Sequence, residues 1–458
     1  MAPESLLVAV AVAAACFFTL PLLRKRRTLI DGGVRFRVLP GPPGIPILGN
    51  LLSLGTLPHQ ALRKLAEVYG PVMGIKIGLV QVVIVSSFAD AQKLLRAFVN
   101  RPSSNSSVYL AYGRKGVVFS DYGNIWRESR NLCLVHMLSI RKVETFRNVR
   151  KGEIHRLLRS LKKAEEEDPK AVDLSEAAAS TIIAIACRTF FGEEYGNESA
   201  IYIRRSEKLC CWPGYSTSTT TSPSRIPRLE WTPATNEGRQ KGLRWPLRGG
   251  HRQVDTITAG LDTSATTVEW MMSELLRHPR VMRKVQQELE EVVGMDRVVE
   301  EEDLPKLPYL EMVIKESMRL HPVIPLIPRE AREYCVANGI QFEKGTQVFV
   351  NIWAMGRDPN EWVNPEAFYP ERFEAGSGGG AGDRDSLESG SLAFGAGNRS
   401  CPGMLMALTT VRIIVTQLVH CFDWELCGEL DMSERFGLNL ARAKNLLVVP
   451  TYRLPPGS

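Results

Sequence analysis

The sequence lacks the patterns that would assign it to several common classes of protein. Its nine cysteines form no CxxC pair and follow no regular spacing, which argues against a disulfide framework and against zinc, and favours a reducing compartment. Lysine and arginine are dispersed, and no basic run is interleaved with aromatic residues, so the net charge of +7 does not indicate nucleic-acid binding. An acidic protein partner or an anionic membrane surface fits this charge better. The sequence also contains no internal repeat.

What is present suits a folded protein with a large core, because 44% of the 458 residues are hydrophobic and 23% are charged. One long apolar run stands at the N-terminus, where residues 5–23 are uncharged and residues 24–27 are all basic. Charge after the apolar run, and not before it, favours a retained signal anchor over a cleaved signal peptide. The positive-inside rule then predicts that the rest of the chain lies in the cytosol.

The remaining chain is predicted to be mainly α-helical with a small β region. The Pro- and Gly-rich run LPGPPGIPILGN, which closes residues 24–50, predicts a stiff, extended hinge. Beyond it the pattern predicts a helix that ends at Gly70, a pair of Val- and Ile-rich strands over 72–87, and a helix capped by Asp173. Later segments predict three long helices, over 266–294, 309–320 and 406–422, a strand over 346–355, and a flexible loop over 374–390.

The chemistry is concentrated in FGAGNRSCPGMLMAL, which runs from Phe394 to Leu408. Cys401 lies in a Gly-rich loop directly before an apolar helix, where backbone N–H groups and the helix N-terminus favour a thiolate. A sheltered thiolate is a metal ligand or a nucleophile, and a buried structural cysteine is the alternative. The spacing of Phe394, Gly397, Arg399, Cys401 and Gly403 resembles the haem-binding loop of the cytochrome P450 family.

Other motifs resemble that family in the expected order. Glu316 and Arg319 match its Glu-x-x-Arg signature, although a pair at this spacing is by itself usually a surface ion pair, and Arg372 in FYPERF would complete a charged triad. Asp262 and Thr263 resemble the proton-supplying pair of the oxygen-activating helix. By the same resemblance, the haem propionates would be contacted by Trp126, Arg130, Arg329 and Arg399.

The resemblance implies a cytochrome P450-type haem domain over 51–458 behind the transmembrane helix of 1–23, most like plant microsomal members of the large biosynthetic clan. It implies haem b, with Cys401 as the axial iron ligand, and NADPH acting only through NADPH-cytochrome P450 reductase. The implied reaction is monooxygenation of a small apolar substrate with O2 at the endoplasmic reticulum membrane.

Some residues leave the interpretation open. Val323, Ile324, Leu326 and Ile327 would face the substrate, with ordinary core packing as the alternative. Asn131 and Asn398 stand where the family commonly has basic residues.

The segment from about Ala200 to Val254 departs from the family most. It holds STSTTTSPS and RWPLRGG, without helical period, where helices that cover the substrate pocket are expected. If the reading frame is shifted by two bases, every codon choice for Cys-Cys-Trp-Pro, at residues 210–213, encodes Leu-Leu-Ala, which is therefore forced. The codons that follow can encode Gly-Val-Phe-Asn-Ile-Asn-Asp-Tyr-Ile-Pro in the same frame. That string resembles the end of the first covering helix, so the segment is interpreted as frame-shifted or mis-spliced, with a divergent loop as the alternative.

Three functional interpretations follow. The first is an anchored haem-thiolate monooxygenase. The second is a haem-thiolate isomerase or dehydratase, against which Asp262 and Thr263 argue, because a rearrangement does not need protons to cleave O2. The third is a non-functional or unstable product of a faulty gene model, for which the segment at 200–254 is the evidence.

Overall fold

The computed structural model describes most of the chain. The residues it describes are 30–31, 34–35, 39–103, 107–108, 113–114, 116–167, 171–192, 251–337, 339–374, 392–437 and 439–455. The predicted anchor, most of residues 24–38 of the hinge, the segment at 200–250 and nearly all of the loop at 374–390 lie outside them.

The described residues are mainly helical with some sheet, as the sequence predicts. In chain order the α-helices are α1 (Leu51–Leu54), α2 (Pro58–Tyr69), α3 (Phe88–Ala97), α4 (Asn124–His136), α5 (Ile140–Thr145), α6 (Arg147–Glu167), α7 (Leu174–Phe191), α8 (His251–Arg277), α9 (Pro279–Val292), α10 (Pro308–Leu320), α11 (Ile352–Met355) and α12 (Met404–Cys421). Short 3-10 turns lie at Leu304–Lys306, Pro370–Phe373, Leu392–Phe394 and Gly397–Arg399.

The strands are short. They are β1 (Ile30–Asp31), β2 (Val34–Arg35), β3 (Val72–Ile77), β4 (Val80–Val85), β5 (Val172–Asp173), β6 (Leu326–Glu330), β7 (Cys335–Ala337), β8 (Ile340–Phe342), β9 (Gln347–Asn351), β10 (Phe422–Leu426), β11 (Glu434–Phe436), β12 (Leu440–Arg442) and β13 (Leu447–Tyr452).

The chain divides into two compact units. The first unit comprises Met1–Pro102, Leu326–Met355 and Ala396–Asn398. Its sheet has the order β3-β4-β9-β6, in which β4 and β9 are parallel and the other pairs are antiparallel. Leu62 of α2 packs with Met73, Ile75, Val82 and Ile84 of the sheet to form its core.

The second unit comprises Ser103–Pro325, Gly356–Gly395 and Arg399–Ser458. Its core is helical, because α8 packs against α7, α10 and α12. One large cluster joins them through residues such as Ile182, Leu275, Val313 and Leu418. β10, β13 and β5 form a three-stranded sheet, and β11 pairs with β12.

Several predicted boundaries are present. α2 ends before Gly70, whose φ of +98° few other residues adopt without strain. β3 and β4 form the predicted antiparallel pair. Asp173 caps α7, because its side chain accepts a hydrogen bond of 3.0 Å from the backbone N–H of Glu176.

Three predictions need correction. The helix predicted over 266–294 is broken at His278, because Pro279 disfavours helical backbone at the residue before it and begins α9 instead. The strand predicted over 346–355 ends at Asn351, whose Oδ1 accepts from the N–H of Ala354 and starts α11. The hinge is not extended throughout, because residues 45–49 form a turn closed by reciprocal backbone hydrogen bonds between Ile45 and Gly49. Asn50 then exchanges hydrogen bonds with Lys76 of β3, with its N–H donating to the Lys76 carbonyl and its Oδ1 accepting from the Lys76 N–H.

Within the described part of the chain, α12 is the helix that is long and apolar enough to span a membrane. About 61% of it is buried inside the protein, which fits the central core helix that the contacts show.

Candidate active site

The loop before α12 holds Cys401 in a fixed backbone arrangement. The N–H of Cys401 donates a hydrogen bond of 2.8 Å to the carbonyl of Phe394, which closes the loop. Gly403 caps α12, and Cys401 is exposed two residues earlier. The positive end of an 18-residue helix therefore lies beside the sulfur and favours its thiolate.

Glycine is required at one position of this loop for a physical reason. Gly397 has a φ of +70°, and a Cβ there would lie 3.2 Å from the carbonyl oxygen of Leu95 in α3. Gly403 is less constrained, because its Cβ would lie 4.0 Å from the sulfur of Cys401, an ordinary contact. A larger side chain at position 403 would occupy space next to the sulfur.

Arg130 of α4 lies at the peptide that precedes Cys401. Its guanidinium donates to the carbonyl of Ser400 at 2.8 Å and to the Ser400 hydroxyl at 3.2 Å. Burial lowers the pKa of Arg130, while the nearby sulfurs of Cys401 and Cys133 act in the opposite direction. A cation thus lies close enough to Cys401 to interact with a thiolate.

Trp126 and Arg399 fix a neighbouring loop. The indole N–H of Trp126 donates to the carbonyl of Val117 at 3.1 Å, and Arg399 donates to the carbonyl of Ser120 at 2.6 Å. The guanidinium of Arg399 also lies 4.5 Å from the centre of the Trp126 ring. The structure therefore brings Trp126, Arg130 and Arg399 together.

Arg329 lies in the first unit, on β6. Its side chain is about 1% exposed, and its Nη1 donates to the carbonyl of Pro328 at 3.0 Å. A fully buried guanidinium is rare in a protein and needs charged or polar partners.

Asp262 and Thr263 lie near the middle of α8. The hydroxyl of Thr263 donates to the carbonyl of Ala259 at 2.8 Å, the i−4 bond open to threonine in a helix. Burial raises the pKa of Asp262, which keeps a proton on its carboxyl group to higher pH. Asn439 steadies this stretch, since its amide donates to the hydroxyl of Thr266 at 2.8 Å.

Glu316, Arg319 and Arg372 are in direct contact. Arg319 donates to both carboxylate oxygens of Glu316, at 2.7 and 2.8 Å, and Arg372 donates to one at 3.0 Å. Glu316 is completely buried, and the N–H of Tyr369 adds a further hydrogen bond of 2.7 Å. The two guanidiniums also reach backbone carbonyls, including those of Ala367. Such a satisfied network fixes α10 to the segment around Arg372.

The four residues expected to face the substrate divide into two groups. Val323 and Ile324 are half-buried in the second unit. Leu326 packs against the sheet core of the first unit, and Ile327 is buried on the same strand. Core packing, the alternative interpretation, therefore describes the latter two.

Sequence reasoning missed a buried polar cluster between α8 and α10. His321 is stacked on Trp270 with ring centres 4.0 Å apart, and its Nε2 lies 2.6 Å from the carboxylate of Glu274. His278 lies 3.1 Å from the same carboxylate. Burial alone would raise the pKa of Glu274, but its bonds with His278 and His321 outweigh burial and lower the pKa to about 2.

Asn439 and His321 carry no motif that marks them, since their partners Thr266 and Glu274 lie 173 and 47 positions away along the chain. For Glu274, a single glutamate within the apolar run Trp270–Leu276 was the available signal.

Comparison with known proteins supports the resemblance. The family model described as cytochrome P450 matches residues 39–208 and 252–449. Cytochrome P450 CYP736A12 of Panax ginseng is 37% identical, covering 91% of this chain and 93% of that protein. Flavonoid 3'-monooxygenase of Arabidopsis thaliana is 33% identical over 99% of this chain and 98% of its own length. Melianol synthase CYP71BQ17 of Ailanthus altissima is 33% identical over 91% and 90%.

The family model and the relatives each cover most of the chain. The match of the family model is interrupted between residues 208 and 252. Members of this family bind haem b and use O2, a substrate and a redox partner. The chain belongs to the cytochrome P450 family of monooxygenases.

Proposed function

We propose that this protein is a membrane-anchored haem-thiolate monooxygenase that inserts one atom of O2 into a small apolar secondary metabolite. The observation that carries the proposal is the Cys401 loop, where an exposed sulfur lies at the N-terminus of α12 and Arg130 holds the preceding peptide. Flavonoid 3'-monooxygenases and melianol synthase among the relatives support a substrate of plant secondary metabolism.

The residues present fit a haem with a thiolate ligand. When bound, the haem supplies the activation of O2. Cys401 would hold its iron, and Phe394, Gly397 and Gly403 would form the surrounding loop. The propionates would be held by the buried or half-buried donors Trp126, Arg130, Arg329 and Arg399.

Asp262 and Thr263 are proposed to manage protons on the substrate side. The raised pKa of Asp262 lets its carboxyl group hold a proton closer to neutral pH, and the hydroxyl of Thr263 can accept and pass on one proton at a time. Glu316, Arg319 and Arg372 would not touch the reacting atoms. Their role is to fix α10 and the segment around Arg372.

The test is turnover in microsomes with a co-expressed NADPH-cytochrome P450 reductase, supplied with a panel of apolar plant metabolites that includes flavonoids, under 18O2. The proposal predicts NADPH-dependent incorporation of one labelled oxygen atom. A rearranged product without label would favour the isomerase or dehydratase alternative. A Cys401→Ser variant that still forms labelled product would contradict the proposed role of Cys401.

The anchor is proposed from the sequence of residues 5–27, which places the catalytic domain on the cytosolic face of the endoplasmic reticulum membrane. Alkaline carbonate extraction of microsomes tests it, because a spanning helix keeps the full chain in the pellet. Release into the supernatant would contradict the anchor.

A second proposal concerns residues 200–254, which we interpret as read in a shifted frame or mis-spliced. It is supported by the forced Leu-Leu-Ala and by the interruption of the family match between residues 208 and 252. Polar residues in place of covering helices would leave the pocket open and weaken substrate binding.

Sequencing of the transcript across this segment tests the second proposal. The proposal predicts a change of reading frame or an intron boundary near the codon of Cys210. A transcript that encodes the printed residues, in a monomeric protein that turns over substrate at an ordinary rate, would contradict it.

A further inference from the structure

The hairpin of β11 and β12 lies along one side of α8. Three hydrogen bonds of 2.8–2.9 Å join the hairpin to the helix, and the pairs are Asn439 with Thr266, Leu440 with Trp270, and Arg442 with Ser273. The three partners on α8 are spaced by four and three residues, so they fall on the same side of the helix. The hairpin therefore fixes this side of α8 over two turns.

Asn439 makes the contact nearest to the residues proposed to manage protons. Its amide donates to the hydroxyl of Thr266 and also lies 3.5 Å from the carbonyl oxygen of Asp262, four residues earlier. Two other threonines of this stretch bond within the helix, since Thr263 and Thr267 each donate to the carbonyl four residues before them. At Thr266, by contrast, a side chain from outside the helix lies beside both the hydroxyl and the Asp262 carbonyl.

Asn439 has a fixed position because the residue after it is anchored twice. Leu440 is completely buried, its N–H donates to the carbonyl of Val323 at 2.8 Å, and its carbonyl accepts from the indole of Trp270. Phe436 pairs with Leu440 across the hairpin, so the turn between the strands spans only residues 437–439. A side chain on such a short, anchored turn has little freedom, and it can therefore hold the helix that it contacts.

The placement of α8 at this point affects proton transfer. A group that passes a proton must lie within hydrogen-bond reach of its partner, and a misplacement of about 1 Å can cost about 100-fold in rate. Asp262 and Thr263 are adjacent on α8 and are both half-buried. A shift of the backbone at Asp262 would therefore move both side chains together.

From these contacts we infer that Asn439 is a positioning residue for the proton-managing pair Asp262 and Thr263. It acts through Thr266 and the backbone of α8. This role rests on the proposed function, since the pair is needed only for monooxygenation. Loss of the contact should divert turnover, so that the two electrons from NADPH and two protons convert O2 into hydrogen peroxide and no oxygen atom enters the substrate.

The first test is hydrogen exchange of the full, haem-containing chain that carries Asn439→Asp. This change keeps the size of the side chain but replaces the donating amide with a carboxylate, which only accepts when it is ionised. The backbone amides of residues 262–267 should exchange about fivefold faster, the order expected for loss of one hydrogen bond. Asn148→Asp is the matched control, because Asn148 is exposed on α6. Equal exchange over 262–267 in the two variants would overturn the inference.

The coupling of NADPH oxidation to product formation gives a second measurement. With the reductase and a substrate that is turned over, the product formed per NADPH should fall about fivefold in Asn439→Asp, and hydrogen peroxide should account for the missing electrons. Rates are expressed per amount of reduced, carbon monoxide-bound haem, so loss of folded protein does not count as loss of coupling. Product and NADPH oxidation that fall in the same proportion would indicate a merely structural role and overturn the inference.

Thr266→Val tests the same contact from the other side, because it removes the acceptor and leaves Asn439 in place. This variant should match the coupling of Asn439→Asp within about twofold, and the double variant should be no worse than either, since both changes break one contact. Losses that add in the double variant would show that the contact is not the cause.

The measurements also separate this role from the proposed function. An unchanged chain that forms no product labelled from 18O2 would contradict the proposed function, while the exchange rates of α8 still show whether Asn439 holds this segment. An unchanged chain that forms labelled product, together with an Asn439→Asp variant of unaltered coupling, would overturn the role of Asn439 alone.

Discussion

The guanidinium of Arg130 donates a hydrogen bond of 2.8 Å to the carbonyl of Ser400, the residue immediately before Cys401. This contact joins α4 to the loop that carries the candidate haem ligand. The chain's own residues therefore hold this loop in place.

Substitution of Arg130 by Leu should lower the fraction of protein that shows a thiolate-ligated haem spectrum. The change removes two charge-assisted hydrogen bonds to Ser400, each worth about 1.5–3 kcal/mol, and a cation near the sulfur. Arg127→Leu on the same helix is the control, because Arg127 is exposed and lies over the ring of Tyr122. Equal spectra for the two variants would contradict the role given to Arg130.

Substitution of Glu316 by Gln should destabilise the fold by about 3–5 kcal/mol, because it leaves two buried guanidiniums without their counter-charge. Thermal unfolding of the haem-containing chain measures this change. Glu67→Gln is the matched control, since Glu67 is 65% exposed and its pair with Arg63 contributes at most about 1 kcal/mol. Similar melting temperatures for the two variants would show that the triad is not structural.

Substitution of Thr263 by Ala should reduce product formation by about 100-fold, the lower range for loss of a proton-transferring group. NADPH oxidation should continue, with its electrons recovered as hydrogen peroxide. Thr267→Ala is the control, because Thr267 lies on the same helix and makes the same kind of bond, to the carbonyl of Thr263. Tightly coupled turnover in Thr263→Ala would exclude the proposed proton role.

The Glu274 cluster should make the stability of the protein fall in mild acid. Burial lowers the pKa of His321 below its ordinary 6.5, so its contribution is present above that pH and is lost as pH falls through the folded value. The pKa of His278 is raised by its hydrogen bond with Glu274, so the contribution of this half-buried group has the opposite sign and is lost as pH rises. Glu274, with a pKa lowered to about 2, contributes above about pH 4.5 and loses that contribution as pH falls toward 2.

The His321→Gln variant isolates the contribution of His321 to the pH dependence of stability. The melting temperature of this variant should be lower at pH 7.5 but should fall less than that of the unchanged chain between pH 7 and 5.5. His136→Gln, at an exposed position on α4, should follow the unchanged chain. A His321→Gln curve parallel to that of the unchanged chain would exclude His321 as the titrating group.

Local patterns predicted much of the fold because their causes are local. Gly70 ends α2 through its positive φ, and Asp173 caps α7 through a contact three residues away. The break at His278 also has a local cause in Pro279, and the apolar period on either side concealed it. Parallel pairing of β4 with β9 joins residues more than 260 positions apart, and no short-range pattern encodes it.

The candidate site likewise contains residues that a local motif reveals and residues that it does not. The residues around Cys401 form a motif because their backbone positions are constrained by one loop, as the close approach of Gly397 to Leu95 illustrates. Asn439 and His321 act through distant partners, so their neighbours in sequence do not reveal them.

The most direct test of the account is the absorption spectrum of the reduced, carbon monoxide-bound protein, recorded for the unchanged 458-residue chain expressed in microsomes with a haem precursor. Ligation by Cys401 predicts the red-shifted Soret band of a thiolate-ligated haem, and its loss in Cys401→Ser. Absence of the band while the protein is present, or its persistence in Cys401→Ser, would contradict the assignment of Cys401 as the iron ligand of this chain.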